Sequence, residues 1–278
     1  MPQHISVEVA DGVATVTFDK PERRNAWDPV MEREYFAELD RLDRDDEVRA
    51  IVVTGAGSTL CPGVDAQRLE SAVGTGMNLS GRVSPTTAAG YRKPVVAAFN
   101  GACAGMGLVQ ALMCDVRFAA RGARFTTAFS RRGLAGEYGI TWVLPRLVGI
   151  ENALDLLITG RVIEADEARE VGLVSRVVEP DDLLDAAQTY AADLARHCSP
   201  ASMALIKNQV WSGLDTGFDE ALAGTYRAMA YAAGGRDFGE GVASFLERRD
   251  PEFAPLDPDL APEEITGRRV AQAGDLLS

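Results

Sequence analysis

The chain has 278 residues, of which 46% are hydrophobic and 25% are charged, and its formal net charge is -13. These values indicate a folded protein with a sizeable core, and the negative charge disfavours general nucleic-acid binding, since a phosphate backbone needs a basic partner surface. No apolar run approaches the roughly 20 residues of a membrane span, and the N-terminus lacks a signal-peptide pattern. We therefore expect a cytoplasmic protein without a membrane span.

The chain opens with an antiparallel pair of strands and an amphipathic helix. Apolar and polar residues alternate in Ile5–Ala10 and in Val13–Phe18, and the Asp11-Gly12 pair between them is a hairpin signal. Asp28-Pro29 then resembles an N-cap followed by proline at the first helical position. Apolar residues recur at helical spacing after it, at Val30, Met31, Tyr35, Phe36, Leu39 and Leu42.

Two nearly continuous apolar runs, Val48–Thr54 and Pro94–Phe99, predict strands that are covered on both faces. Residues 66–92 between them show no sustained period, which is typical of a functional or disordered loop. Further strands are predicted at 116–119, 124–126 and 173–178, and helices at 107–113, 139–147, 150–158, 164–171, 181–197, 200–213, 218–232 and 237–248. The last 25 or so residues are expected to form a loose tail.

Two glycine-containing junctions join a short apolar run to a helix. In the first, Gly105 and Gly107 flank Met106, and glycine lets a backbone approach a ligand closely. In the second, Gly63 and Val64 precede Asp65, which can cap a helix. Amides at a helix N-terminus are unpaired and favour negative charge, so the two junctions together can form an oxyanion hole.

Catalytic chemistry based on histidine or cysteine is disfavoured. The four cysteines have no short paired spacing, and the histidines, His4 and His197, lie far apart in the sequence. This pattern indicates neither a disulfide framework nor a zinc site, and it weakens Ser-His and Cys-His catalysis. We expect any acid or base to be a carboxylate or a tyrosine.

The order of motifs resembles the enoyl-CoA hydratase/isomerase family, also called crotonases, over roughly residues 5–253. The matching segments include 20–26 (KPERRNA), 61–65 (CPGVD), 93–101 (KPVVAAFNG), 105–107 (GMG), 113–115 (MCD), 144–149 (LPRLVG), 158–161 (ITGR), 165–168 (ADEA), 172–174 (GLV) and 245–249 (FLERR). The resemblance implies an α/β fold: a spiral of ββα repeats over residues 1–198 that binds acyl-CoA, followed by a helical trimerisation module and tail over 199–278. It also implies a homotrimer or a dimer of trimers.

The resemblance implies a coenzyme A thioester as substrate, with no tightly bound cofactor. The thioester oxygen is then expected between the backbone amides of Val64 and Met106. Arg24 is the first candidate for binding the anionic coenzyme, with Arg23, Arg68 and Lys93 behind it. The other positions expected to contact the coenzyme A thioester belong to the matching motifs: Ala26, Cys61, Gly63, Asp65, Gly105 and Gly107.

The two glutamates of the family's hydratases are missing, since the matching positions carry Val109 and Phe129. Neither side chain can exchange a proton, so standard hydration lacks its acid and base. Glu137, eight residues beyond Phe129, matches the position of an aspartate base in isomerases of the family. We therefore predict a double-bond shift, Δ3 to Δ2 in an enoyl-CoA, with Glu137 as the base.

Other interpretations stay open from the sequence. Loss of both glutamates also suits a non-catalytic acyl-CoA binder or carrier. The oxyanion hole could alternatively serve hydration, hydrolysis or decarboxylation, assisted by Tyr138 or an ordered water. Side chains that could line an acyl pocket, or equally belong to the core, are Met77, Met106, Leu134 and Trp142.

Overall fold

The computed structural model describes residues 4–74 and 85–267, which contain ten strands. These are β1 (Ile5–Ala10), β2 (Val13–Phe18), β3 (Ala50–Gly55), β4 (Thr59–Cys61), β5 (Val95–Phe99), β6 (Ala102–Ala104), β7 (Val116–Ala120), β8 (Arg124–Thr126), β9 (Ile163–Glu164) and β10 (Arg176–Val178). The helices are α1 (Pro29–Arg44), α2 (Ala66–Ser71), α3 (Gly105–Leu112), α4 (Ile140–Val148), α5 (Ile150–Thr159), α6 (Ala165–Glu170), α7 (Leu183–His197), α8 (Pro200–Gly213), α9 (Phe218–Gly234), α10 (Arg236–Glu247) and α11 (Pro262–Thr266). None of them combines the length and apolar character that a membrane span requires.

The strands form two sheets. The larger has the order β1-β2-β3-β5-β7-β10, antiparallel at β1-β2 and parallel elsewhere. The smaller has the order β4-β6-β8-β9 and is antiparallel only between β8 and β9. A long strand, a short strand and a helix recur as β3-β4-α2, β5-β6-α3 and β7-β8-α4. The predicted α/β class and ββα repeat are confirmed.

The larger sheet is covered on both faces, as its continuous apolar strands predict. Alternate residues point to opposite faces, so Ile51 and Val53 join the main core while Val52 faces α7. Helix α7 contacts the sheet through small side chains at helical spacing, chiefly Ala187 and Ala191. The predicted hairpin has the expected register, with Ala10 opposite Val13.

Strand β10 begins at Arg176 rather than at the predicted position 173. The amides of Leu173 and Val174 both donate to the carbonyl oxygen of Ala168, at 2.8 and 3.2 Å. These bonds close the end of α6, so both residues belong to a turn although they are apolar.

The prediction of a loose C-terminal tail is wrong for residues 254–267. The guanidinium of Arg92 donates to the carbonyl oxygens of Asp257 and Pro258, at 3.0 and 2.9 Å. Leu256 and Leu260 are buried in a small cluster, and α11 packs on α8 and α9. Core side chains therefore hold this segment in place although it has no periodic pattern.

The interval between β4 and β5 contains more structure than a loop. Helix α2 starts at Ala66, where the sequence places a helix start, and a 3-10 helix spans Pro85–Gly90. Residues 75–84 lie outside the described residues, and with them the acyl-pocket candidate Met77.

Candidate active site

The two glycine junctions lie side by side because their strands are neighbours in the smaller sheet. Strand β4 leads to Gly63 and Val64, and β6 leads to Gly105 and Met106. Thr59 pairs with Ala102, and Cys61 pairs with Cys103. The carboxyl ends of parallel strands meet at one edge, so both junctions reach the same side of the molecule.

Glycine at the junctions is required by close packing. A β-carbon on Gly107 would lie 2.5 Å from the carbonyl oxygen of Cys61, which is closer than real atoms approach. A β-carbon on Gly63 would lie 3.1 Å from the carbonyl oxygen of Ala104 and 3.7 Å from the amide nitrogen of Met106. Gly63 also has a φ of +100°, which L side chains rarely adopt. Only glycine therefore allows the two backbones to approach this closely.

Helix α3 starts without a side-chain cap, since its N-cap residue is Ala104. The amides in the first turn of a helix have no partner within the helix, and Met106 occupies the second helical position. Met106 is only 1% exposed. A buried helix start without a cap is unfavourable unless another group uses its amides, which favours a role in ligand binding.

Val64 lies beside Trp27 in an isolated parallel bridge. The amide of Trp27 donates to the Gly63 carbonyl at 2.8 Å, and the amide of Asp65 donates to the Trp27 carbonyl at 3.1 Å. Successive amides in extended backbone point in opposite directions, so the amide of Val64 faces away from Trp27. This bridge fixes the direction of one of the two amides predicted to form the oxyanion hole.

Asp65 connects the Gly63-Val64 junction to the turn that contains Arg23. Its carboxylate accepts from the Gln67 amide at 3.0 Å and caps α2, as predicted. It also accepts from Arg23 Nη2 at 2.7 Å, and this hydrogen bond and charge lower the pKa of Asp65. The Arg23 side chain is therefore committed to this ion pair.

The backbone beside this ion pair is held in an uncommon conformation. Arg24 and Asn25 have φ values of +54° and +59°, both in the left-handed region. The buried Asn25 amide donates to the Ala56 and Thr59 carbonyls at 3.0 and 2.7 Å. The exposed Arg24 side chain forms no ion pair within the described residues. Ala26, which is buried, lies next to Trp27 and so near the Val64 junction.

Two of the other cations predicted near the coenzyme differ in their environment. Lys93 is 3% exposed, and its Nζ donates to the carbonyl oxygens of Leu42 and Asp45, both at 2.6 Å. Burial lowers the pKa of Lys93 to about 8. Lys93 therefore binds the carbonyl oxygens at the end of α1 and does not face a ligand. Arg68, in contrast, lies half-buried on α2.

Cys61 is part of the packing between the junctions. Cys61 is fully buried, and its Sγ would lie 2.8 Å from a β-carbon on Gly107. Burial raises the pKa of its thiol to about 12. The thiol stays protonated at neutral pH and is not a nucleophile. Its neighbours Cys103 and Cys114 are also buried, and burial raises the pKa of each.

The positions that correspond to the hydratase glutamates are dry. Val109 is fully buried on α3, and Phe129 is 4% exposed after Ala128, whose φ is +59°. Both side chains belong to the main apolar core. They supply neither a proton donor nor a proton acceptor.

Glu137 is half-buried and lies three residues before the start of α4 at Ile140. Its carbonyl accepts from the Ile140 amide at 3.0 Å, and Tyr138 within this turn has a φ of +46°. A bulky residue in that region carries strain on the order of 1–3 kcal/mol, and such strain clusters at functional sites. Among the acyl-pocket candidates Leu134 is exposed, whereas Trp142 donates from Nε1 to Asp215 at 3.0 Å.

Sequence reasoning missed three contributions to this region: the bridge of Trp27, the anchoring amide of Asn25 and the ion pair of Arg23 with Asp65. An asparagine after two arginines in a turn is compatible with left-handed backbone. This local pattern could have identified Asn25 as a residue with left-handed backbone. The other two depend on pairing with residues about 40 positions away, which no local pattern encodes.

The comparisons with known proteins agree on one family. The model of the enoyl-CoA hydratase/isomerase family matches residues 8–255. The chain is 36% identical to 1,2-epoxyphenylacetyl-CoA isomerase of Escherichia coli over 264 residues, covering 91% of this chain and 99% of the relative. It is 38% identical to a probable enoyl-CoA hydratase of Rhodobacter capsulatus over 255 residues, covering 90% and 97%. The crystal structure of a probable enoyl-CoA hydratase/isomerase from Mycobacterium abscessus matches with a TM-score of 0.84 and 33% identity, covering 91% and 99%.

Proposed function

The chain belongs to the enoyl-CoA hydratase/isomerase family, whose members act on coenzyme A thioesters, and we propose that this protein shifts a double bond within an enoyl-CoA. The proposed reaction converts a 3-enoyl-CoA to the conjugated 2-enoyl-CoA. The observation that carries it is the closely packed pair of glycine junctions, together with the apolar Val109 and Phe129 at the positions matched to the hydratase glutamates. Glu137 is the proposed base because it matches the position of the isomerase carboxylate.

The chemistry needs one base and one oxyanion site. The Glu137 carboxylate removes a proton from C2, and the electron pair of that C–H bond moves into a dienolate whose charge lies on the thioester oxygen. The amides of Val64 and Met106 donate hydrogen bonds to this oxygen, and one such donor contributes on the order of 3 kcal/mol. The Glu137 carboxyl then returns a proton to C4, which leaves the double bond between C2 and C3.

Hydration is disfavoured because it needs a positioned water and groups that exchange protons with it. Val109 is fully buried in the apolar core, and Phe129 is nearly so. Apolar side chains at these positions exclude water. The relatives carry the names of an isomerase and of a hydratase, so the preference for isomerisation rests on Val109 and Phe129 alone.

Binding of the coenzyme is proposed along the edge formed by the two junctions and the segment from Arg24 to Ala26. Gly63 and Gly105 allow close approach of the thioester, and Gly107 allows Cys61 to pack beneath. Arg24 is the proposed partner for coenzyme phosphate groups. The carboxylate of Asp65 holds the junction and repels anions, so its role is to fix the loop rather than to contact phosphate.

A homotrimer, or a dimer of trimers, is the proposed assembly. The C-terminal helices expose many large apolar side chains in a single chain, and burying such surfaces drives association. They include Ile206, Val210, Phe218, Tyr226, Met229, Phe238, Val242, Phe245 and Leu246. Light scattering after size-exclusion chromatography tests the assembly, and a monomer at micromolar concentration would contradict it.

The assay that tests the reaction offers the purified protein a 3-enoyl-CoA and a 2-enoyl-CoA separately. Mass spectrometry and absorbance of the conjugated thioester follow both products. We expect conversion of the 3-enoyl substrate, little 3-hydroxyacyl product, and loss of at least a hundredfold in kcat for Glu137→Gln. Glu151→Gln, the same change at an exposed site on α5, is the matched control and should retain full activity.

Each result decides between functions. Unchanged turnover in Glu137→Gln would remove Glu137 as the base. A dominant 3-hydroxyacyl product would make the protein a hydratase despite Val109 and Phe129. Tight binding of both thioesters without turnover would identify an acyl-CoA binder.

A further inference from the structure

Glu137 is held in a tight turn of an uncommon type. The Ile140 amide donates to the Glu137 carbonyl at 3.0 Å, and the two central residues have positive φ, +46° at Tyr138 and +77° at Gly139. The ψ of Gly139 is 9°. Positive φ at both central positions is the pattern of a type I′ turn, which strongly prefers Asn-Gly or Gly-Gly.

Tyrosine is therefore an unfavourable choice for the backbone at this position. Gly139 meets the requirement of the turn without strain, but Tyr138 does not. Packing compensates for this strain, since the partly buried Tyr138 side chain lies against the main core cluster. Backbone strain of this kind clusters at functional sites, so its presence at Tyr138 points to a function for the ring.

The residue before Glu137 is fixed as well. A β-carbon on Gly136 would lie 2.5 Å from Cγ2 of Thr141 and 3.3 Å from Cγ2 of Ile140. The chain at Gly136 thus lies directly on the first turn of α4. Glu137 is consequently bounded on one side by this contact and on the other by the Tyr138 turn.

We propose that Tyr138 is a positioning residue, whose packed ring and left-handed backbone set the direction from which the Glu137 carboxylate reaches the substrate. This inference rests on the proposed role of Glu137 as the base. A displacement of about 1 Å in a catalytic group can lower a rate about a hundredfold, so the strain is compensated by accurate placement.

The test uses variants that separate the backbone, the ring and the hydroxyl in the full-length protein. Tyr138→Asn suits the left-handed backbone but removes the ring, and Tyr138→Phe keeps the ring without the hydroxyl. We expect Tyr138→Phe to keep kcat within about twofold. The melting temperature of Tyr138→Asn should stay within a few degrees of that of the natural protein, because relief of the backbone strain offsets the lost packing. Its kcat should nevertheless fall at least tenfold, with KM changed less than threefold. Tyr138→His replaces Tyr138→Asn if the latter does not fold.

A double-mutant cycle with Glu137→Gln measures the coupling between the two positions, and a merely structural role of Tyr138 would not produce such coupling. If Tyr138 acts through Glu137, Tyr138→Asn should change the residual rate of Glu137→Gln by less than twofold. Solvent deuterium exchange at C2 of the thioester measures that residual rate.

Four results would overturn the inference. The first is full kcat in Tyr138→Asn, and the second is a kcat loss in Tyr138→Phe as large as in Tyr138→Asn. The third is an equal rate loss from Tyr138→Asn in the natural protein and in Glu137→Gln. The fourth is full activity of Glu137→Gln. The last would overturn the proposed base as well. Loss of activity in Glu137→Gln with normal kcat in Tyr138→Asn would overturn the positioning role alone.

Discussion

Gly63 lies against the backbone around Met106, since a β-carbon at position 63 would be in van der Waals contact with the Met106 amide nitrogen, at 3.7 Å. The residues are 43 positions apart in sequence and come from different turns of the ββα spiral. The same β-carbon would lie 3.1 Å from the Ala104 carbonyl oxygen. Any side chain at position 63 therefore pushes against the backbone that presents the Met106 amide.

The first prediction concerns this contact. Gly63→Ala should lower kcat/KM for the enoyl-CoA substrate at least tenfold, because it shifts one of the two proposed oxyanion donors. The free energy of unfolding should fall by only about 1–2 kcal/mol, the strain of a non-glycine residue at positive φ. Enzyme kinetics and urea unfolding measure the two quantities.

Gly213→Ala is the matched control for this substitution. Gly213 ends α8, and a β-carbon there would meet no atom within 4 Å. Activity and stability should both be retained, since alanine favours helix. Equal activity of Gly63→Ala and Gly213→Ala would contradict a role of the Gly63 loop in catalysis.

The second prediction concerns the ion pair of Arg23 with Asp65. Arg23 holds the pKa of Asp65 below its ordinary value of 3.8, so the folded state binds a proton at Asp65 more weakly than the unfolded chain. The stabilisation is therefore present above about pH 4 and is lost as the pH falls through the lowered pKa. Arg23→Met should reduce the melting temperature slightly at pH 7 and progressively less below pH 4.

Arg121→Met, which removes an exposed ion pair with Asp166 and Glu179, is a control for general surface effects. Arg23→Met should also raise KM for the thioester, because Asp65 follows Val64 directly. If Arg23→Met and the natural protein differ in melting temperature by the same amount at pH 3 and at pH 7, Asp65 is not the titrating group.

The sequence predicted the long elements well because their patterns are local. The hairpin and α8 have the predicted bounds, and α3 begins at Gly105 instead of 107. Strands β6 and β9 have only three and two residues, too few to show a period, so they could not be predicted from alternation. The ordered segment at 250–267 depends on Arg49 and Arg92, which lie far away in sequence.

The candidate site shows the same division. Glycine spacing and the family motifs predicted Val64, Met106 and Glu137 as site residues, and the structure places the junctions that carry Val64 and Met106 side by side. The strain at Tyr138 could not be inferred, because tyrosine is not a residue that signals positive φ. The burial of Lys93 could not be predicted either, since the residues around a lysine before a strand do not show whether its side chain faces a ligand or caps a helix.

The third prediction tests whether the position of Val109 is dry. Val109→Glu places a carboxyl where the valine is fully buried, which should reduce the free energy of unfolding by about 2–4 kcal/mol at pH 8. Burial would raise the pKa of the new carboxyl above that of the unfolded chain. The loss should therefore be smallest below the unfolded pKa and should grow as pH rises toward the folded pKa.

Val109→Gln has nearly the same shape without the titration and is the matched control. The two variants should have similar stability in acid and diverge at higher pH, as followed by urea unfolding between pH 4 and pH 8. If Val109→Glu and Val109→Gln have equal stability at pH 8, water reaches position 109, and hydration of a 2-enoyl-CoA is no longer disfavoured there.

The last prediction concerns the attachment of the C-terminal helices to the spiral. Lys207 of α8 donates from Nζ to Asp115 Oδ2 at 2.8 Å and to the Lys93 carbonyl at 2.9 Å. Asp115 also accepts from the Val95 amide at 2.7 Å and from Trp211 Nε1 at 3.1 Å. The Lys207 and Asp115 side chains are 7% and 19% exposed, so little solvent can replace the pair.

Lys207→Met should therefore lower the free energy of unfolding by about 3 kcal/mol, because it leaves a largely buried carboxylate without its counterion. Adding Asp115→Asn should restore part of this loss, since the carboxamide is neutral and its oxygen can still accept from Val95. Arg169→Met, a change of charge at an exposed site on α6, should alter stability by less than about 0.5 kcal/mol. Urea unfolding of the natural protein should show one transition, because this pair and Trp211 join α8 to strands of the main sheet. Two separate transitions, or an unchanged midpoint in Lys207→Met, would mean that the helices after residue 198 fold independently of the spiral.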